Sequence, residues 1–275
     1  MKTISAAFLA VSALLAASVE AHTSLLEPLS REGGKEIIED VQNRIGCGKG
    51  GIGKVTHVKA GANIPVRYYR NNHIGGFVRW SIIKRGQPET RENFDKNIFL
   101  YTCREVGKNC HPRNLPFSRW ERANDNVDVF NIICGDYITI PKYLDDGDYV
   151  LQFTNFGTGH SNGIPGQATP TYRSCADLRV TGGSSKNARP KCPGFQGGDR
   201  VTYNENKPNN QCYYFKDNFV PNYLFQENDV RKLNGLYRLG RPKLVEDCNS
   251  RSLDLESYPA ENYNATHDYS FDALN

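Results

Sequence analysis

Between residues 54 and 181 the chain breaks into short runs rich in Val, Ile, Phe and Tyr, separated by turn residues. The runs at 54–59, 64–69, 77–84, 98–103, 127–134, 137–140, 148–155 and 175–181 have the length of strands. Branched and aromatic side chains suit a pleated, half-buried surface. Leu144-Asp145-Asp146-Gly147-Asp148 reads as a turn, followed by the partly alternating run Tyr149-Val150-Leu151-Gln152-Phe153. Short strands with long connections and no regular strand–helix alternation predict an all-β fold, an antiparallel β-sandwich. One helix is expected over about 34–45, where Ile37, Ile38, Val41 and Ile45 recur at helical spacing.

Eight cysteines add a second constraint. Residues 1–21 read as a secretory leader: Lys2 is the charged start, Ala6–Ala17 the apolar run, and Val19-Glu20-Ala21 a small-residue cleavage site. In a secreted, extracellular chain these cysteines imply up to four disulfides, whose pairing the sequence leaves open. Cys103 and Cys110 are close enough to pair locally. Near Gly182 the composition changes. Gly182-Gly183-Ser184-Ser185 opens a Gly-, Pro- and Asn-rich stretch with few strand signals, and Cys192, Cys212 and Cys248 lie within it. With Cys175 or another core cysteine they can tie this stretch down. The expected organisation is a leader at 1–21 and an immunoglobulin/fibronectin-like sandwich at 22–182. A disulfide-tethered irregular extension packed on the core follows at 183–250, then a flexible tail at 251–275. Asn264-Ala265-Thr266 is a glycosylation sequon.

After the leader no other stretch approaches twenty apolar residues, so no membrane span is expected. The formal net charge is +4, and the excess falls in residues 22–182, because 183–275 carry equal numbers of each sign. That balance favours an acidic polymer as partner over a neutral one. No arginine-rich run interleaved with aromatics points to nucleic acid, and a monomer is expected.

Cleavage after Ala21 makes His22 the first residue of the mature chain. An N-terminal histidine offers two nitrogen donors, its amine and its imidazole. A second histidine from elsewhere completes a three-nitrogen site of the kind copper binds more tightly than other divalent first-row metals. His73 is the best candidate, in Asn71-Asn72-His73-Ile74-Gly75-Gly76-Phe77 at the mouth of a strong strand. The glycine pair leaves room for a metal and a flat approach. Tyr172, in Tyr172-Arg173-Ser174-Cys175-Ala176-Asp177-Leu178, opens another strand, and its phenol can cap an axial direction of the metal.

With these residues the core resembles the lytic polysaccharide monooxygenases, secreted copper enzymes with a histidine brace. The resemblance covers about 22–182. It rests on His22-Thr23-Ser24-Leu25-Leu26-Glu27-Pro28, on the Asn-His-x-Gly-Gly segment at 72–76, and on Tyr-x-x-Cys-Ala-Asp at 172–177. Ile138-Thr139-Ile140-Pro141 and Gly147-Asp148-Tyr149-Val150-Leu151, leading to His160, are also similar. The resemblance implies that the His22 amine, the His22 imidazole and His73 hold one copper, with Tyr172 axial and His160 in the surrounding shell. Copper binding to the amine is then weaker in acid. It implies an external electron donor, oxygen or peroxide as co-substrate, and oxidative cleavage of a polysaccharide. The chain departs from the pattern at Pro170, where several branches carry a glutamine; the nearest is Gln167. The cysteine-bound extension and the positive charge are similar to the oomycete branch that acts on pectin. A pectic polymer such as homogalacturonan is the first substrate expectation, with cellulose and chitin as alternatives. Arg70, Arg79 and Lys49 are candidates to meet its carboxylates.

A non-catalytic copper carrier or sensor of the same fold would use the same His22 and His73. Gly159-His160-Ser161-Asn162-Gly163 spells the G-x-S-x-G of serine hydrolases, but no helix signal follows it. Gly48–Lys54 resembles a phosphate loop, yet it ends at Val55 and a strand follows. No zinc-type Cys or His spacing is present, and His57, His111 and His267 have no matching partners.

Overall fold

The strand Gly76–Lys84 is buried along its whole length apart from Lys84. An antiparallel sheet with one solvated face would alternate buried and exposed residues, so this strand must be covered on both sides. The computed structural model describes residues 24–31, 33, 47, 50–69, 76–104, 106, 133–157, 172–197, 212–215, 237–242, 244–246 and 248. Its elements are β1 (Leu25–Glu27), β2 (Val55–Lys59), β3 (Asn63–Pro65), β4 (Arg67–Tyr69), β5 (Gly76–Lys84), α1 (Arg91–Asp95), β6 (Ile98–Cys103), β7 (Ile133–Cys134), β8 (Tyr137–Thr139), β9 (Gly147–Gly157), β10 (Tyr172–Thr181), β11 (Gly194–Gln196), β12 (Cys212–Phe215) and β13 (Tyr237–Gly240).

The main sheet has six strands in the order β11-β6-β5-β9-β10-β2. Its centre is antiparallel, and its two outer pairings, β10 with β2 and β11 with β6, are parallel. Opposite it lie the three-stranded sheet β1-β4-β7 and the pair β3-β8. One apolar cluster fills the space between the layers. It takes Val78, Trp80, Ile82, Leu151, Phe153, Ala176, Leu178 and Val180 from the main sheet, and Leu25, Ile64, Tyr68, Cys134 and Ile138 from the smaller ones. Phe153 sits at its heart, 5.0 Å from the Tyr68 ring and 5.5 Å from that of Trp80. The class is the expected one, an all-β, immunoglobulin-like sandwich.

The outer face of the main sheet is covered as well. Phe77 packs with Ile98, Tyr101, Cys103 and Val106 against Cys212, Leu244 and Val245 of the C-terminal part. Ile83 and Val150 pack against Phe94 of α1 and the Cys47–Cys175 disulfide. Polar side chains are buried on this face too. Arg79, named above as a candidate for substrate carboxylates, is 1 % exposed and paired with Asp95 at 2.8 Å. It is a structural residue; Arg70 and Lys49 lie outside the described residues.

Most expected strands are present within a residue or two. The run 64–69 is two strands, not one: β3 pairs with β8, and β4 with β1 and β7. The chain changes sheets at Val66, whose N–H donates to the Asp136 carbonyl at 2.8 Å. Gly135 makes this crossing possible. It has φ +140°, and a Cβ there would stand 1.9 Å from the Val66 carbonyl oxygen. Of the run 127–134 only β7 is described, and the expected helix at 34–45 lies outside the described residues. The five-residue α1, capped by Thr90 accepting from the Asn93 N–H, had no strong sequence signal.

Cys103 pairs with Cys212, so its expected local pairing with Cys110 is corrected. The physical reason is the position of β12, which packs across β5 and β6 and brings Cys212 to the last residue of β6. Cys192 pairs with Cys248. Residues beyond 182 therefore contribute β11 to the main sheet, the hairpin-like pair β12-β13, and one disulfide to the core.

Candidate metal centre

The N-terminal segment is strapped along β10. The Leu25 N–H donates to Ser174 Oγ at 3.3 Å, and the Arg31 N–H donates to the Cys175 carbonyl at 2.8 Å. The Arg31 side chain then grips Asp177 through Nε (3.0 Å) and Nη2 (2.9 Å), and Glu89 through Nη1 (2.7 Å) and Nη2 (2.9 Å). Asp177 is fully buried. It also accepts from the Gly53 N–H at 2.7 Å and from Arg85 Nη2 at 3.3 Å. Burial alone would raise the Asp177 carboxyl. The Arg31 and Gly53 hydrogen bonds and the charges of Arg31 and Arg85 outweigh it, holding the group below its ordinary 3.8. Arg85 also pairs with Asp148 at 3.1 Å, and Asp148 with Arg179. This network fixes residues 25–31 in direction: Leu25 lies by Ser174, and Arg31 further along by Cys175 and Asp177.

Three strand ends meet at the Ser174 end of this strap. In the register of the main sheet Gly76 stands opposite Gly157, and Val78 opposite Asn155. Asn155 in turn stands opposite Tyr172. The first residues of β5 and β10 and the last of β9 thus share one end of the sheet, with β1 above. The Tyr68 hydroxyl closes the neighbouring corner by donating to the Arg104 carbonyl at 2.6 Å, and the Arg104 N–H donates to the Gly76 carbonyl at 3.1 Å.

Of the candidate ligands, Tyr172 is described in its main chain, as the first residue of β10. His22, His73, His160 and Gln167 lie outside the described residues, as does the Gly159–Gly163 segment of the hydrolase reading. Counted along the chain, His22 precedes Leu25 by three residues, His73 precedes Gly76 by three, and His160 follows Gly157 by three. Three residues reach at most about 10 Å. Among the described residues no group of three His, Cys, Asp or Glu side chains could hold a metal ion. His57 is an exposed residue of β2.

The sequence reading passed over two groups at this end. Ser174, within the quoted 172–178 motif, anchors β1. Asn155 is fully buried, and among the described residues neither its Oδ1 nor its Nδ2 has a hydrogen-bond partner. Both are ordinary residue types in strands, and only the register shows that they flank the Tyr172 position. Gly76, Val78, Asn155 and Ser174, the residues described here, include no carboxylate. These four uncharged residues, with Arg173 and Arg104 adjoining them, leave no acidic side chain to compete with donors that are an amine and imidazoles, the nitrogen set that suits copper.

Searches among family models and among curated proteins gave no match to this chain. Solved structures do match in part. A cellulose-active polysaccharide monooxygenase from M. thermophila is 14% identical, with a TM-score of 0.34, covering 56% of this chain and 65% of its own. A cellulose-active lytic polysaccharide monooxygenase in complex with copper is 16% identical, with a TM-score of 0.30, covering 47% of this chain and 55% of its own. One from Thermobia domestica, in its Cu(I) state, is 17% identical, with a TM-score of 0.28, covering 46% and 62%. The match spans roughly 55% to 65% of the length of these structures. No helix among the described residues is long and apolar enough to cross a membrane.

Proposed function

We propose that the protein is a secreted, copper-dependent monooxygenase that cleaves the glycosidic bonds of a polysaccharide oxidatively. The observation that carries this reading is the common sheet end. The segment that leads back to His22 is tied to Ser174, two residues from Tyr172, while the strands adjoining His73 and His160 in sequence end beside them. In this reading the His22 amine and imidazole and the His73 imidazole hold one copper. Tyr172 would stand beside the metal, and His160, with Gln167 as a second candidate, would hold or donate a proton next to it without ligating it. When bound, copper supplies redox chemistry that uses an external electron donor and oxygen or peroxide to attack a sugar C–H bond.

A pectic polymer such as homogalacturonan is the proposed substrate, on the strength of the positive excess in residues 22–182. Removing Arg79 from the candidate contacts leaves Arg70 and Lys49 to test. The chain would act as a monomer. The proposed division is a leader at 1–21, the catalytic sandwich at 22–182, the extension at 183–250 and a tail at 251–275.

The mature chain is expected to bind about one copper tightly. H73A should abolish binding, and so should one extra residue ahead of His22, because the terminal amine is then no longer on the histidine. Unchanged affinity in both variants refutes the site. A panel of pectin, cellulose and chitin with copper, ascorbate and peroxide, read by mass spectrometry, is expected to give oxidised oligosaccharides from pectin. Hydrolytic products alone, or none from any polymer, refute the activity.

A further inference from the structure

Away from the candidate metal centre, an open groove of about 370 Å³ lies between β6 and β11 on one side and the Thr139–Tyr143 turn on the other. That volume is at the low end of small-molecule sites, about 300–1,000 Å³. Residues 187–196 form its remaining wall, and that wall is fixed. Arg189 donates from Nη1 to Asn97 Oδ1 at 3.2 Å and from Nη2 to the Lys96 carbonyl, and its guanidinium stands 5.8 Å from the centroid of the Tyr143 ring. Cys192 is bridged to Cys248. The groove is therefore formed before any ligand arrives. Leu100, in its floor, stands opposite Trp80, four residues along β5 from Gly76. At about 3.3 Å per residue the groove is about 13 Å along the sheet from the candidate metal centre.

The lining sets three chemical requirements. Phe99 and Tyr143 offer aromatic surface, and alternation along β8 puts Tyr137, 57 % exposed, on the same outer face as Thr139 of the groove wall. Three lining oxygens have no hydrogen-bond partner among the described residues: the Tyr143 hydroxyl, Asn187 Oδ1 and Gln196 Oε1. The Asn187 amide nitrogen is already used, donating to the Lys142 carbonyl at 3.0 Å, and that of Gln196 donates to Asp136 at 3.5 Å. No lining residue is acidic. Lys142 is exposed and has no ion-pair partner among the described residues, and Lys186 and Lys191 add charge beside the wall. Asp145 and Asp146, which follow in the same turn, hold the Ser185 and Gly182 N–H groups. Spare acceptors call for hydroxyl donors, an unpaired lysine for an anion, and tyrosine faces for an apolar ring surface. A uronic-acid sugar carries all three, in its hydroxyls, its carboxylate and the C–H faces of its ring. We propose that this groove is a second polysaccharide-binding site, which takes a short stretch of a uronate chain with Lys142 on a carboxylate and Tyr143 and Tyr137 against the sugar rings. The choice of a polysaccharide rests on the functional reading above, and the choice of an acidic one rests on the groove.

The test is hydrogen exchange read by mass spectrometry on the metal-free mature chain, with oligogalacturonates either free of ester or fully methyl-esterified. The free acid is expected to slow exchange in segments 137–143 and 187–196, and the ester to do so more weakly. K142Q should weaken binding of the free acid about fivefold at low salt, with the deficit shrinking as salt is added. Y137S should weaken binding of both oligomers about threefold. Both side chains are exposed, so neither substitution threatens the fold. No slowing in either segment, equal binding of acid and ester, or unchanged affinity in both variants overturns the proposal. A sedimentation mass that falls from dimer to monomer in the double variant, with the groove unprotected by either oligomer, assigns this face to a second copy and overturns it too. Oxidised products from pectin with an unprotected groove sink this inference and leave the copper reading standing. A protected groove in a protein that oxidises no polymer sinks the copper reading alone.

Discussion

Replacing Asp177 with Asn tests whether the N-terminal strap is held by charge. The substitution is isosteric, so packing on β10 is preserved. The carboxylate accepts four hydrogen bonds: two from Arg31, one from the Gly53 N–H and one from Arg85. An amide has one oxygen and presents N–H protons where the other oxygen accepted, so at least one donor meets a donor. Breaking a buried ion pair by removing one partner costs about 3–5 kcal/mol. Arg31 keeps its two contacts to Glu89, and Arg85 keeps Asp148. The low end therefore applies, about 3 kcal/mol, or a fall in Tm of about 6–12 °C. E89Q, at a partly exposed carboxylate, should cost less than about 1 kcal/mol. The pH dependence follows from the depressed carboxyl of Asp177. A group whose folded pKa lies below its unfolded value contributes stability above the unfolded value and loses it as pH falls through the folded one. The gap between D177N and the unsubstituted protein should be constant at about pH 5–7 and close below about pH 4. Urea midpoints measured across that range provide the assay. A loss under about 1 kcal/mol at neutral pH, or a gap that persists in acid, refutes the role assigned to Asp177.

Two further substitutions test the frame around the strap. G135A should be among the most damaging changes in the chain, costing more than about 3 kcal/mol, because the new Cβ has to displace the Val66 backbone; an unaltered urea midpoint would contradict the close approach. Removing the Cys47–Cys175 bridge by paired Ser substitutions should cost about 2–5 kcal/mol, since it closes a span of 128 residues; a midpoint equal to that of the oxidised parent would show that the bridge adds nothing to the folded state.

The central strands were legible because burial leaves its mark on each of them separately. Phe77–Ile83 and Tyr149–Phe153 are apolar enough to be strands in any all-β context. What the sequence did not disclose depends on partners far away in the chain. The break at Val66 is imposed by Gly135, 69 positions later, and nothing local marks it. Cys103 has a cysteine seven residues away, yet its partner is set by where β12 lands. Arg79 reads as an exposed basic residue until β5 is seen to be covered on both faces, with Asp95 supplying the countercharge. At the candidate site the expected ligands were read from their chemistry and from the family resemblance: a terminal imidazole, a glycine-flanked histidine and a strand-opening tyrosine. Ser174 and Asn155 carry no such signature, because a hydroxyl and an amide acquire meaning only from the groups that the register sets beside them.

Two of the bridges overlap in sequence, one joining 47 to 175 and the other 103 to 212. A backbone cut anywhere from 47 to 175 is spanned by the first, and a cut from 175 to 212 by the second. Any single nick across those 165 residues leaves one covalently continuous molecule. Long connections can therefore be lost to a peptidase, or rewritten by insertion, without setting either half of the protein adrift.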